Sequence, residues 1–376
     1  MGESTLRFKP RGALGVFSFR EVNGMRDEDY MRLALKLARK GLGWVNPNPP
    51  VGAVLVKDGE IVSKGYHRHF GGRHAEREAI EKALEKGVSL EGATLYVTLE
   101  PCDHFGKTPP CTEAILEAGI RKVVIACRDP NPVSGDGVKK LTENGVEVVL
   151  GVCEREAKEL MKFFLKSVTT DLPYVTLKYA ATLDGKIADF EGNSKWITAE
   201  LRPIVHRLRH QHMAVLVGAK TALLDNPRLD VRLPGKWRNP IRVILDREGK
   251  TLERVDLNVF AQNGRVIVFT ERERVDLPPN VTLAKCGSAL EILRTLHGFG
   301  IDSVLVEGGS EVFSQFLPHA DEIYAFYGVK VFGKGLDVFA GLTQTVDQEL
   351  DFRIERMVKS KSGKEFLVVM KRCSRA

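Results

Sequence analysis

Twice along this chain, short runs of strand length alternate with amphipathic helical stretches, and one polar break at Thr169-Thr170-Asp171-Leu172-Pro173 separates the two series. Such alternation argues for a mixed or mostly parallel sheet with helices on both faces. Its restart after the break argues for two α/β units, and 376 residues are enough for two buried cores. The first series predicts a helix from Asp27 to Gly43 with Asp27 as its cap. A hairpin follows at Val51 to Val56 and Ile61 to Tyr66, with Asp58-Gly59 at its turn. Helices from Ala75 and Thr112, strands at Ala93 to Leu99 and Lys122 to Ala126, and a connecting helix from Glu154 to Val168 complete it. The second series predicts strands near Tyr174, Ala214, Ile241, Arg265 and Ser303, helices near Leu201, Ala289 and Ser310, and a closing hairpin from Phe352 to Met370. We divide the chain into an extension at 1–24 and units at 25–170 and 171–376.

Composition removes several function classes. No apolar run reaches the roughly 18 residues that a membrane span needs, and Gly12 to Phe19 is too short and lacks the cleavage pattern of a secretory signal. A cytoplasmic protein without membrane partners is expected. Six cysteines in a chain of this length do not form a disulfide scaffold. The formal charge of +7 is compatible with an anionic substrate. With aromatics at 7% and no basic block interleaved with them, nucleic acid is not expected as a partner.

The strongest local signal is His74-Ala75-Glu76 followed by Pro101-Cys102 and Cys111. A catalytic zinc wants three protein ligands and an open position for water. His74, Cys102 and Cys111 supply the ligands, one zinc per chain. Glu76, two residues into the same helix, can stand beside the water without ligating the metal, the arrangement of the zinc deaminases in which a glutamate shuttles protons. The alternative is a structural zinc clip with His104 as fourth ligand.

Eight residues separate Cys102 from Cys111 where zinc deaminases usually have two. The strings Val97-Thr98-Leu99-Glu100-Pro101-Cys102 and Gly106-Lys107-Thr108-Pro109-Pro110-Cys111 resemble the bifunctional deaminase/reductase family of riboflavin biosynthesis, and Asn46 to Gly52, His67 and Asp129-Pro130-Asn131-Pro132 add to the resemblance. The second half is similar to the reductase half of the same family in Lys178 to Ala188, Ser194 to Thr198, Gly218 to Thr221, Asp225 to Leu229 and Val306 to Ser310. The resemblance implies a cytidine-deaminase-like three-layer domain followed by a dihydrofolate-reductase-like domain.

It also implies a zinc-dependent deamination of a phosphorylated diaminopyrimidinone, then an NADPH-dependent reduction of its ribosyl chain, in a homo-oligomer. By matching position, Asn48 would contact the pyrimidine edge. NADPH would be held by Ala180, Trp196, Thr221, Asp225, Gly309 and Ser310. Ser194, Arg209, Leu229, Arg232 and Glu307 would contact the reductase substrate, and Lys186 and Asp225 would assist hydride transfer. Read from the residues alone, Gly308-Gly309-Ser310 is a strand-to-helix turn with amides open to a phosphate. Arg209 and Arg232 suit a phosphate clamp, or else a solvated helix face and a surface loop. No G-x-G-x-x-G fingerprint is present. Two other functions remain to weigh: a nucleic-acid deaminase, and a reductase carrying a purely structural zinc module.

Overall fold

The computed structural model describes residues 24–106, 109–194, 198–260, 264–273, 276–343 and 350–373. In the first half these form α1 (Asp27–Ala38), β1 (Gly52–Lys57), β2 (Glu60–Tyr66), α2 (Ala75–Leu84), β3 (Thr94–Val97), α3 (Cys111–Glu117), β4 (Lys122–Ile125), α4 (Gly137–Glu143), β5 (Glu147–Leu150), α5 (Glu154–Leu160) and α6 (Lys162–Thr170). The sheet runs β2-β1-β3-β4-β5, antiparallel across its first three strands and parallel across its last three. Asp58 and Gly59 both take positive φ at the β1–β2 turn, as a two-residue hairpin demands.

Two glycines set the layers. A Cβ on Gly52 would meet the Ala34 carbonyl of α1 at 2.1 Å, and one on Gly65 would meet the Ala75 carbonyl of α2 at 2.2 Å. Gly52 pairs with Tyr66, so Gly65 faces the opposite way. Helices α1 and α2 therefore cover opposite faces, at backbone distances only glycine permits, and three layers result. Arg26 rather than Asp27 occupies the N-cap of α1, leaving Asp27 in the first turn to accept from the Tyr96 hydroxyl at 2.6 Å. The predicted connecting helix is broken at Met161 into α5 and α6.

The second half contains β6 (Tyr174–Thr182), β7 (Lys186–Asp189), α7 (Arg202–Gln211), β8 (Ala214–Gly218), α8 (Ala219–Asp225), β9 (Ile241–Leu245), β10 (Val266–Thr270) and β11 (Val281–Lys285). It continues with α9 (Ala289–Gly298), β12 (Ser303–Gly308), α10 (Ser310–Phe316), β13 (Glu322–Gly328), β14 (Gly335–Asp337), β15 (Phe352–Lys359) and β16 (Glu365–Arg372). Nine strands form the sheet β11-β10-β9-β8-β12-β6-β13-β16-β15. Every neighbour from β11 to β13 is parallel, and β16 and β15 close the edge antiparallel. Strands β8 and β10 are buried at every residue, as parallel strands covered on both faces must be. This is the dihydrofolate-reductase-like arrangement.

Helix α6 joins the halves. Its Lys162 and Lys166 pair with Glu322 at 2.8 Å and Asp321 at 2.5 Å across the seam. Among the described residues, no helix is long and apolar enough to cross a membrane.

Candidate active sites

His74 is the N-cap residue of α2, Cys102 lies in the loop after β3, and Cys111 opens α3. The fold brings them together. His74 Nδ1 stands 3.5 Å from Cys102 Sγ and 3.3 Å from Cys111 Sγ, and the three ligand atoms lie within 4.8 Å of one another. Tetrahedral zinc, with bonds of roughly 2.0 Å to nitrogen and 2.3 Å to sulfur, sets its donors about 3.5 Å apart. The residues fit that metal. Hydrogen bonds from Cys111 and then His74 hold the Cys102 thiol down to about 4 despite its burial, so the cluster already favours a thiolate. Among the described residues, His104 does not join the cluster. Its Nδ1 is buried without a hydrogen-bond partner at the wall of the adjoining cavity.

Glu76 is 3% exposed, and burial raises its carboxyl to about 6. It faces a cavity of about 290 Å³ that His74, Cys102, Asn48 and His67 also line. Asn48 Nδ2 meets His67 Nε2 at 3.1 Å, and His67 Nδ1 meets the Arg73 carbonyl at 2.8 Å. Burial lowers the His67 pKa, which keeps the ring neutral. The far wall is Asp129, Asn131 and Ser134. Glu100, 6% exposed, holds that loop by accepting from the Asp129 and Val138 amides at 3.2 and 2.9 Å. Burial raises Asp129 to about 6. Sequence reading used His67 and Asp129 only as motif members, and it gave no sign that Phe164 of α6 lines the same cavity.

In the second half, Ala180 lies near the carboxyl end of β6, Thr221 in the helix that follows β8, and Glu307 and Gly309 at the carboxyl end of β12. Gly309 has φ +83°, and a Cβ there would stand 3.3 Å from Thr221 Oγ1. One on Gly308 would stand 3.1 Å from Thr221 Cγ2. The glycines thus keep open a cradle between the β12–α10 turn and the start of α8, which fits a cofactor phosphate. The Ser310 hydroxyl accepts from the Ala340 amide at 2.8 Å and keeps its own O–H to donate, while its carbonyl accepts from the Ser314 hydroxyl at 2.9 Å. Asp225 ends α8 and is exposed. Ala180 lies near the end of β6 and Ser194 in the loop beyond β7. Trp196 lies outside the described residues.

Several expected contacts have other partners. Arg209 makes a bidentate pair with Glu307, at 2.6 and 2.9 Å, and a third bond to the Asp230 carbonyl. Its side chain is 12% exposed, and these bonds make it a support for Glu307. Lys178, unnoticed as a site residue, lies 3.5 Å from the same carboxylate. Burial alone would raise Glu307, but Arg209 and then Lys178 outweigh it and hold the carboxyl down to about 2. Arg232, 48% exposed, pairs with Asp230. Leu229 is 3% exposed in an apolar cluster, with its backbone at φ +52°. Lys186 is paired to Asp337 at 2.5 Å.

Residues 25–127 match the cytidine and deoxycytidylate deaminase zinc-binding region, and residues 173–363 match the RibD C-terminal domain. The riboflavin biosynthesis protein RibD of Aquifex aeolicus is 43% identical over 355 residues, 92% of this chain and 98% of that protein. This chain belongs to the RibD family. The Escherichia coli member is 37% identical over 349 residues, 86% of this chain and 94% of its own. A crystal structure of a diaminohydroxyphosphoribosylaminopyrimidine deaminase/5-amino-6-(5-phosphoribosylamino)uracil reductase from Thermotoga maritima superposes with a TM-score of 0.89, at 57% identity over 92% of this chain and 99% of that one. Acinetobacter baumannii RibD follows at 0.84 and 35% identity, covering 93% and 99%.

Proposed function

We infer that this RibD-family chain is a bifunctional enzyme of riboflavin biosynthesis. The first half is a zinc-dependent deaminase: water adds to the ring carbon bearing the 2-amino group of the phosphoribosylamino-diaminopyrimidinone, the C–N bond breaks, and ammonia leaves. The second half is an NADPH-dependent reductase that converts the ribosyl chain of the product to ribityl. The observation that carries this reading is the unbroken match of both halves, in order, to the Thermotoga enzyme.

Zinc held by His74, Cys102 and Cys111 supplies the Lewis acidity that makes water a nucleophile near neutral pH. Glu76 would take one proton from the attacking water to the ring nitrogen, and then carry the adduct's hydroxyl proton to the leaving amine as the C–N bond breaks. Asn48 and Asp129 hold the pyrimidine edge. In the second half, Ala180, Thr221, Asp225 and the Gly309-Ser310 turn would hold NADPH, which would supply the hydride while the protein sets its position. Glu307, kept ionised by Arg209 and Lys178, offers an acceptor to the substrate hydroxyls. Arg232, Ser194, the Leu229 backbone and Lys186 complete the substrate side.

Residues 25–170 and 171–376 are the two catalytic units in this reading, and the enzyme works in the cytoplasm. Ile354 and Met357, 62% and 61% exposed on the edge strand β15, support a homo-oligomer.

The test is ammonia release from the diaminopyrimidinone with and without NADPH, on protein confirmed to hold about one zinc per chain. Ammonia without NADPH, and NADPH oxidation only after deamination, is the expected result. No ammonia from folded, zinc-loaded protein overturns the substrate assignment. Glu76→Gln separates catalysis from a structural metal clip: the fold and zinc stay and turnover goes, whereas a clip shows no change in either.

A further inference from the structure

The turn that carries Asn48 is held from the other half of the molecule. The Asn48 amide donates to the Val45 carbonyl at 2.9 Å, closing a turn with Asn46 and Pro47 at its centre. Asn46 Nδ2 then donates to Asp302 Oδ2 at 2.8 Å, across 256 residues of sequence. Asp302 is 1% exposed, and its other oxygen accepts from the Ser303 hydroxyl at 2.6 Å. A carboxylate so buried is tolerated only when its oxygens are bonded, so the Asn46 contact is a fixed part of the seam. Asn46 and Asp302 line one narrow crevice between the halves, and Asn48 borders both that crevice and the cavity containing Glu76. Gly43, three residues before Asn46, is pressed against His210 of α7, where a Cβ would meet the ring at 2.5 Å.

We propose that Asp302, a residue of the reductase half, is a positioning residue for the deaminase. Through Asn46 it fixes the Val45–Asn48 turn, and with it the amide that Asn48 presents to the pyrimidine. The inference rests on the reading that the first cavity binds the diaminopyrimidinone. Misplacing a binding group by about 1 Å can cost on the order of a hundredfold in kcat/KM, so a turn with its anchor cut has a measurable signature.

The experiment measures ammonia release, zinc content and NADPH-dependent reduction of the deaminated substrate in full-length Asp302→Ala and Asn46→Ala, and in the reciprocal pair Asn46→Asp with Asp302→Asn. In both alanine variants the deaminase KM rises about tenfold or more. Deaminase kcat and zinc change little, and reductase kinetics stay within about twofold. The reciprocal pair, which rebuilds the bond with donor and acceptor exchanged, brings KM back to within about threefold of the parent. Should Asp302→Ala fail to fold, Asn46→Ala and the reciprocal pair decide the matter. A parental KM in Asn46→Ala, or no recovery in the reciprocal pair, overturns the proposal. A parent chain that releases no ammonia overturns the deaminase reading itself, a result distinct from an active parent with insensitive variants.

Discussion

Asn48 and His67 fix each other's orientation: the Asn48 amide nitrogen lies 3.1 Å from His67 Nε2, and His67 Nδ1 lies 2.8 Å from the Arg73 carbonyl. A carbonyl only accepts, so Nδ1 carries the proton and Nε2 must accept from Asn48. The Asn48 side-chain oxygen is then the atom offered to the cavity.

That relation makes His67 a selector of the Asn48 rotamer. His67→Leu leaves the Asn48 amide free to turn over and should lower kcat/KM for ammonia release by about tenfold to a hundredfold, the cost of one unsatisfied buried polar group. Zinc content stays at the parental level. Kinetics on the His67→Leu protein with metal analysis alongside provide the check, and an unchanged kcat/KM would sink the idea.

Asp129 gives the deaminase an acid limb. Burial raises its carboxyl to about 6, so the ionised acceptor at the cavity wall is present above that pH and lost as pH falls through it. Glu76 lies in the same range, which makes the comparison with Asp129→Asn the informative one. The kcat/KM profile of the parent should fall more steeply below about pH 6 than that of the variant. Superimposable acid limbs would remove Asp129 from substrate binding.

Glu307 is a stability element as well as a binding group. Its carboxyl is held at about 2 in the folded chain, below its ordinary value, so its stabilising share is complete above the unfolded pKa. That share drains as pH falls from about 4.5 toward 2. Glu307→Gln strands Arg209 and Lys178 in the interior, and breaking such a buried pair costs about 3–5 kcal/mol. Thermal unfolding at pH 7 should show a clear loss, with a smaller gap between parent and variant at pH 3. An equal gap at both pH values would contradict this account.

Gly309 separates the two activities. Its φ of +83° penalises any side chain, and the Cβ would enter the cradle beside Thr221. Gly309→Ala should raise the KM for NADPH about tenfold while ammonia release without NADPH is unaltered. Parallel steady-state assays decide it: an unchanged NADPH KM would place the cofactor elsewhere.

Some of this was legible in the amino-acid order and some was not, for physical reasons. The zinc cluster was readable because metal chemistry restricts both the residue types and where they sit: a histidine capping one helix, a cysteine opening another. Glu76 followed from its place two residues after His74. The hairpin at Asp58-Gly59 and the buried β8 and β10 were equally plain, since backbone sterics and two-sided burial leave direct marks on composition. The pairing of Arg209 was not legible, because nothing around it names Glu307, its partner 98 residues away. Lys178 was missed because one lysine in an apolar strand does not reveal the carboxylate it will face. Strand β13, absent from the expected set, mixes aromatic and small residues without a regular alternation of polar and apolar positions. Leu229 has an ordinary side chain, and its left-handed backbone is imposed by tertiary packing.

Helix α6 links the two halves and also contributes to the deaminase itself, because Phe164 lines that cavity while Lys162 and Lys166, on the same short helix, are held by Glu322 and Asp321. A gene encoding the deaminase as a free-standing protein therefore cannot simply stop at the last strand of its own sheet. It would have to keep the connector as an active-site wall, and two lysines and two carboxylates that now face each other would pass into water. Fusion of the two halves in one polypeptide is thus written into the side chains of their joint, where one short helix serves both as wall of the first cavity and as seam to the second sheet.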